Sequence, residues 1–141
     1  MQSTFKIIFF SLFGILVSHA QQAKGNDVTV TVSNLKSNKG KVFFALYNEE
    51  SHFLKKELRG EISAIENNTC TITFKDVKNG IYAISLFHDE NDNNIMDTNF
   101  LGIPKEPYGC SNNARGFMGP PKWADAKFQI NNKSINQHIK L

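Results

Sequence analysis

Two runs in this chain alternate so cleanly that they admit one kind of structure. Val28, Val30 and Val32 are interleaved with Thr29, Thr31 and Ser33, and Cys70, Ile72 and Phe74 with Thr69, Thr71 and Thr73. A period of two sends every second side chain to one face, which a strand with one wet and one buried side requires and a helix of 3.6-residue repeat does not provide. Two further runs, 40–47 and 81–88, are apolar on both faces and suit central strands. Weaker strands are expected at 61–65, 124–130 and 135–141, the last two as a closing hairpin about the turn 131–133. Ser51 is placed to cap one or two helical turns over 52–58, with Phe53, Leu54 and Leu58 on one face. The turns at 66–68 and 76–80 carry Asn, Asp and Gly, and Asn79-Gly80 suits the positive φ of a tight hairpin. About seven short strands separated by turns, and no long helix, predict an all-β, single-domain β-sandwich of immunoglobulin-like or transthyretin-like type with one long ordered loop.

The N-terminus has a different grammar. Lys6 precedes eleven residues without a charge, 7–17, and then Ser18-His19-Ala20. A charged start, a short apolar core and small residues before a cut read as a secretory signal peptide over 1–20, and eleven apolar residues are too few to span a bilayer. Residues 21–26 are expected as a flexible mature N-terminus and 27–141 as the sandwich domain.

After that cut 15 basic and 13 acidic side chains remain, the basic ones scattered. This balance argues against a nucleic-acid partner, which needs a clustered basic patch. No second apolar run suggests a transmembrane segment, so the expected location is periplasmic or secreted. There Cys70 and Cys110 are permitted a disulfide, which would close a loop of about forty residues and contribute roughly 3–4 kcal/mol in the chain-entropy model. Equally open from the residues is Cys70 as a small buried hydrophobe and Cys110 as a free loop thiol.

The longest interruption of the strand plan is 89–123, thirty-five residues of little regular pattern, where ordinary connections stop at about 12–15. Its first part, 89–99, holds the carboxylates Asp89, Glu90, Asp92 and Asp97, and no Lys or Arg follows until Lys105. Numbered from Asp89, side-chain oxygens fall at positions 1, 3, 5 and 9 (Asp89, Asn91, Asn93, Asp97), and Ile95 at position 7 is placed to give a backbone carbonyl. This is most of an EF-hand-type calcium loop. Position 6 is Asn94 in place of glycine, and position 12 is Phe100 in place of a bidentate glutamate, so Asn99 or Glu106 would have to complete the set. Calcium is the candidate cofactor, with modest affinity because two of the four side-chain ligands are neutral amides.

Two other uses of this loop compete. His88 and Glu106 with Cys110 or Ser111 would serve a small hydrolase, although no spacing shows nucleophile, base and orienting acid together. Tyr108, Arg115, Phe117 and Trp123 offer an aromatic platform for a protein or carbohydrate partner, or else pin the loop down.

The segments Gly80-Ile81-Tyr82-Ala83, His88-Asp89-Glu90-Asn91, Asp97-Thr98-Asn99, Leu101-Gly102-Ile103-Pro104-Lys105-Glu106, Tyr108-Gly109, Ser111-Asn112-Asn113-Ala114 and Gly119-Pro120-Pro121 resemble the bacterial secreted domain-of-unknown-function family 2141 over essentially the whole mature chain. The resemblance implies an exported β-sandwich, frequent in Bacteroidetes-like bacteria, with no assigned activity. The family usually has Asn-Gly where this chain has Asn93-Asn94 and an aromatic where it has Cys110, so a Cys70–Cys110 bridge would be private to this sequence. The pairing of the acidic run with 102–106 in the family motif implies that Glu106 returns towards Asp89 and Asp97, as a ligand or as a partner of Arg115. The function expected is therefore an exported binding or envelope-associated module of unknown ligand, with a candidate calcium-binding loop; the alternative is a small hydrolase built around 88–123.

Overall fold

The computed structural model describes residues 25–141, so the expected signal segment 1–20 and residues 21–24 lie outside the described residues. Asn26, expected in the N-terminal tract, already opens the first strand. The order is β1 Asn26–Ser33, β2 Lys41–Tyr47, β3 Arg59–Ser63, β4 Cys70–Val77, β5 Gly80–Asp89, β6 Tyr108–Cys110, a helical turn α1 Trp123–Ala126, β7 Phe128–Ile130 and β8 Ile135–Lys140. These strands form two sheets facing each other as a sandwich. In one, β1 lies between β4, antiparallel, and β8, parallel. In the other the order is β3-β2-β5, and the far edge of β5 is shared, with β7 along 80–82 and β6 along 85–87.

The alternating runs explain the first sheet. Val28, Val30 and Val32 are buried, and so is Phe74 on β4. The opposite face carries threonine rungs, Thr29 against Thr73 with hydroxyls 3.1 Å apart and Thr31 against Thr71 at 3.2 Å. Val42, Phe44 and Leu46 of β2 and Ile84 and Leu86 of β5 meet these valines from the other sheet in one cluster. Each such burial is worth roughly 1.5–3 kcal/mol, and together they hold the sheets face to face.

The second sheet is covered on its outer face as well. Register partners share a face, which gives the rows Lys41–Asp89, then Phe43–Phe87–Tyr108, then Ala45–Ser85–Cys110, then Tyr47–Ala83. Phe43 and Phe87 stack with centroids 5.0 Å apart. Over the last two rows lie Phe53, Ala114, Trp123 and Ala126, a second and smaller cluster. This cover explains why the Ala45 and Tyr47 end of the outer face is apolar, while Phe43 and Phe87 lie beyond it and are half-buried.

Three local expectations are corrected. The 78–79 connection is not a hairpin turn, since β4 pairs β1 and β5 pairs β2, and the left-handed residue there is Asp76 (φ 54). The turn 131–133 does not close a hairpin either, because β7 pairs β5 while β8 runs beside β1, and of the strand expected at 124–130 only Phe128–Ile130 forms, Trp123–Ala126 being a helical turn. Both turns have hairpin composition, but the strands they join belong to opposite walls of one core, a condition local turn chemistry does not encode. Helical turns over 52–58 do not form: a 3-10 turn spans Glu50–His52 without a side-chain cap, Leu54 is left-handed (φ 59), and Leu58 N–H donates to the Leu46 carbonyl at 2.8 Å. Phe53 alone of the three apolar residues is buried, while Leu54 and Leu58 are exposed. Among the described residues no helix is long and apolar enough to cross a membrane.

Candidate functional site

The acidic run starts where β5 ends. His88 N–H donates to the Pro107 carbonyl at 2.9 Å, so the chain leaves the sheet at Asp89 and is stitched back eighteen residues later. Gly40 packs against this point in a left-handed conformation (φ +68), and a β-carbon there would collide with the Asp89 carbonyl oxygen. The exit from β5 is thus fixed by backbone contact from the residue that precedes β2.

Within the loop, carboxylates organise the backbone. Asp89 is completely buried (0%), and its Oδ1 and Oδ2 accept the N–H groups of Asn93 (3.1 Å) and Asn94 (2.8 Å). Asn91 Oδ1 accepts the Asn93 N–H at 3.2 Å and Asn93 Oδ1 the Ile95 N–H at 3.1 Å, two successive side-chain turns. Asp92 and Asn94 take φ of 60° and 67°, the left-handed conformation that Asn and Asp tolerate. Asp97 closes the ring: its carboxylate accepts Asn91 Nδ2–H at 2.6 Å and Asn93 Nδ2–H at 3.1 Å. Glu106, 7% exposed, accepts the N–H groups of Glu90 and Asp97, each at 3.1 Å.

Asp89, Asn91, Asn93 and Asp97 are therefore brought into one hydrogen-bonded group, and Glu106 braces it from behind. Asn99 is elsewhere, since its Oδ1 accepts the Leu101 and Ile103 N–H groups at 2.9 and 3.0 Å. The side chain of Ile95 points out to solvent. Among the described residues no three His, Cys, Asp or Glu side chains gather as a metal cluster. The donors that do converge are two carboxylates interleaved with two amides.

The electrostatics of this group are unbalanced. Among the described residues no Lys, Arg or His nitrogen lies within 4.0 Å of Asp89, Asp97 or Glu106. The nearby cation, Lys41, pairs instead with the outer Asp92 at 2.8 Å. Sequence reasoning missed Lys41 because β2 brings it from fifty residues away. His88 is fully buried; its Nε2 faces the Lys39 carbonyl at 2.7 Å, while Nδ1 has no hydrogen-bond partner and lies 4.0 Å from Glu90 Oε1. A carbonyl can only accept, so Nε2 carries the proton and in the neutral ring Nδ1 presents its lone pair.

The groups considered for nucleophilic chemistry are held otherwise. Ser111 is fully buried, accepting the Ile84 N–H at 2.9 Å and donating to the Ala126 carbonyl at 2.5 Å. Burial pushes the Cys110 thiol up to about 11, opposed by the nearby Arg115 guanidinium, and burial alone raises Cys70 to about 11. Neither residue offers an exposed or ionised nucleophile at neutral pH. The two cysteines are free thiols, so the disulfide admitted by compartment is not formed: Cys70 sits opposite Val32 in the inter-sheet core, and Cys110 opposite Ser85 under the second cluster.

The aromatic residues do not make one platform. Trp123 packs edge-on against Phe53, centroids 5.7 Å apart, and is half-buried in the second cluster. Arg115 reaches the Lys140 carbonyl at 2.8 Å, tying the loop to the end of β8, and Glu106 is not its partner. Tyr108 continues the Phe43–Phe87 row, and Phe117 stands alone in solvent at 93% exposure. The aromatic surface next to the acidic loop is thus Phe43, Phe87 and Tyr108, two of which lie inside strands that composition alone marks as core.

Compared with known proteins, residues 30–138 match the model of a family described as an uncharacterized protein conserved in bacteria (DUF2141). No curated protein and no solved structure matches the chain.

Proposed function

The chain belongs to the DUF2141 family, and from that premise and the geometry of the loop we propose that it is an exported binding or envelope-associated module whose acidic loop is completed by a calcium-like cation. The observation that carries this reading is the burial of Asp89 and Glu106 with backbone amides but no counter-charge. Buried carboxylates are ordinarily paired or coordinate a metal. Each Asp89 oxygen uses one lone pair on an amide and keeps the other. Asp89, Asn91, Asn93 and Asp97 side chains, with the Ile95 carbonyl at the position between them in sequence, would supply a hard-oxygen set, and calcium accepts such a set in flexible geometry. On binding, Asn91 and Asn93 would exchange their amide contacts with Asp97 for contacts through oxygen to the cation.

A hydrolase built on His88, Glu106 and Cys110 or Ser111 has no comparable support, because Ser111 is saturated and Glu106 faces amides.

Thermal unfolding in calcium, in magnesium and in excess chelator tests the proposal. A cation bound by the native state alone adds about 2.7 kcal/mol at a hundredfold excess over Kd, which is several degrees for a domain of this size. A calcium-specific rise that disappears in Asp97→Asn is the expected result; superimposed curves would remove the cation from the account.

A further inference from the structure

The free edges of the two sheets are closed unequally. Along β8, Asn113 Nδ2–H donates to the His138 carbonyl at 3.0 Å, Asn113 Oδ1 accepts the Lys140 N–H at 2.8 Å and Arg115 donates to the Lys140 carbonyl, so side chains from the loop occupy that edge. On β4 the Arg59 guanidinium donates to the Lys75 carbonyl at 2.6 Å. β3 has no such cover. It pairs β2 alone, in an unbroken register from Val42–Ser63 to Leu46–Arg59, and among the described residues its backbone N–H and C=O groups bond nothing else. An open edge is a template for another strand, and 59–63 carries neither the proline, the lysine nor the bulge that ordinarily blunts one.

The side chains along this edge are ordered so that the strand can pair with itself. Leu58, whose N–H still bonds the Leu46 carbonyl, alternates with Gly60 and Ile62 onto the outer face, where Leu58 is 50% and Ile62 56% exposed. Arg59 and Glu61 take the other face, and among the described residues neither has an opposite charge within 4.0 Å. The Arg59 guanidinium rests over the Phe74 ring and uses one of its five N–H groups on the Lys75 carbonyl. Charges on an edge ordinarily discourage pairing; opposite signs two residues apart select among the registers instead. A two-fold axis normal to the sheet keeps outer faces together, so residues of equal parity stand opposite. Centred on Arg59 or on Glu61, it sets like charges opposite each other, and centred on Ile62 it leaves both without a charged partner. Centred on Gly60, it sets Arg59 opposite Glu61 twice and Leu58 opposite Ile62 twice. The neighbouring charges meet no like charge in that register: Lys55, Lys56 and Glu57 stand opposite Ile65, Ala64 and Ser63, and Lys75 of the adjoining β4 is paired with Asp27 at 3.7 Å.

We infer that β3 pairs antiparallel with β3 of a second copy about a two-fold axis at Gly60, joining the two β3-β2-β5 sheets into one. The backbone amides supply the ladder, the Arg59–Glu61 and Leu58–Ile62 pairs fix its register, and glycine at the axis leaves the centre free of side chains. A foreign extended peptide would gain the same backbone bonds; the self-complementary order Leu58-Arg59-Gly60-Glu61-Ile62 is what selects a second copy. A two-fold contact of this kind uses the same patch on both subunits and closes on itself, so the assembly stops at a dimer.

The test uses the full chain in chelator, so that its outcome is separate from that of the cation. Oxidative crosslinking of Gly60→Cys reads the axis directly. A β-carbon at Gly60 meets only the Phe44 carbonyl oxygen, at 3.6 Å, an ordinary contact. Residues opposite each other in an antiparallel pair have β-carbons about 4.5–5.5 Å apart, close to what a disulfide spans. Cys70 and Cys110 are buried and set the wild-type background. Gly60→Cys is expected to crosslink at least about tenfold faster than Ile62→Cys, whose copy lies four residues along the ladder, roughly 13 Å away. A mixture of Leu58→Cys with Ile62→Cys is expected to crosslink faster than either variant alone. In sedimentation, Arg59→Glu and Glu61→Arg are each expected to weaken dimerisation by about tenfold. An equal mixture of those two should recover it, because an edge with two acids then faces an edge with two bases. In protein whose circular dichroism shows an intact sandwich, equal crosslinking at residues 60 and 62 would overturn the inference, and so would a charge-variant mixture that associates no better than its components. Association that none of these substitutions changes would belong to another surface, residues 1–24 included, and would overturn it too.

Discussion

Two irregular segments follow β5, and opposite means order them. Residues 90–107 are held by polar groups: Asp89 and Glu106 each accept two backbone N–H groups, and Asn91, Asn93 and Asn99 accept others. Residues 114–122 are anchored at their ends by packing, with Ala114 and Trp123 both in the cluster over Tyr47, Phe53 and Cys110. The first arrangement leaves apolar side chains free to point outward, because they are not needed to hold the chain. In the second the aromatic residue is the main fastener, with one further tie from Arg115 to the Lys140 carbonyl. Irregular backbone can thus be fixed either by satisfying its amides or by pinning its flanks, and only the first way concentrates uncompensated charge.

The comparison breaks first at Asp89. Asp89→Ala removes the buried carboxylate that takes the Asn93 and Asn94 N–H groups, two hydrogen bonds to a charged acceptor, and is expected to destabilise by about 3–5 kcal/mol in denaturant unfolding, whereas Asp89→Asn, which keeps one acceptor oxygen, should cost less. A smaller loss, about 2–3 kcal/mol, is expected for Trp123→Ala, half-buried and in edge-on contact with one ring. That variant should also speed alkylation of the Cys110 thiol, buried in the cluster that Trp123 packs against, while Asp89→Ala should leave the alkylation rate nearly unchanged in protein that is still folded. Asp97→Asn should cost less than about 1 kcal/mol in chelator, since Asp97 takes amide donors near the surface, yet remove most of the calcium increment.

The smallest effect at neutral pH belongs to the thiols. Burial raises Cys70 and Cys110 from the ordinary value of 9.0 to about 11, so between those limits the unfolded chain releases protons that the folded chain keeps. Stability must then fall as pH rises from about 9 to about 11, with no contribution below. Cys110→Ala should flatten part of that slope in unfolding at pH 8 and 10.5, and Asp89→Ala should not.

The strands were legible because their signal is local. Alternation at Val28–Val32 and Cys70–Phe74 states both the strand and its buried face, and the runs at 40–47 and 81–88 state strands that are apolar on both faces. The Asp89, Asn91, Asn93 and Asp97 spacing gave a convergent group for the same reason: side-chain turns close over two to four residues. What was hidden depends on partners far away in the chain. Hairpin composition at 78–80 and 131–134 does not reveal which wall of the core each strand faces. Phe43 and Phe87 read as core, although their row borders the acidic loop. The two cysteines carry no mark of lying in separate clusters. Glu106 was placed near the acidic run, but its contacts are with backbone N–H groups, which no side-chain spacing displays.

The most direct test is amide hydrogen exchange, residue by residue, first in chelator and then in calcium. Loop amides held by buried carboxylates (Glu90, Asn93, Asn94 and Asp97) should exchange well below free-peptide rates in chelator and more slowly still in calcium, with the amides of β1 unchanged. Free-peptide exchange at all four in both conditions would contradict the claim that Asp89 and Glu106 order this loop and that a cation completes it.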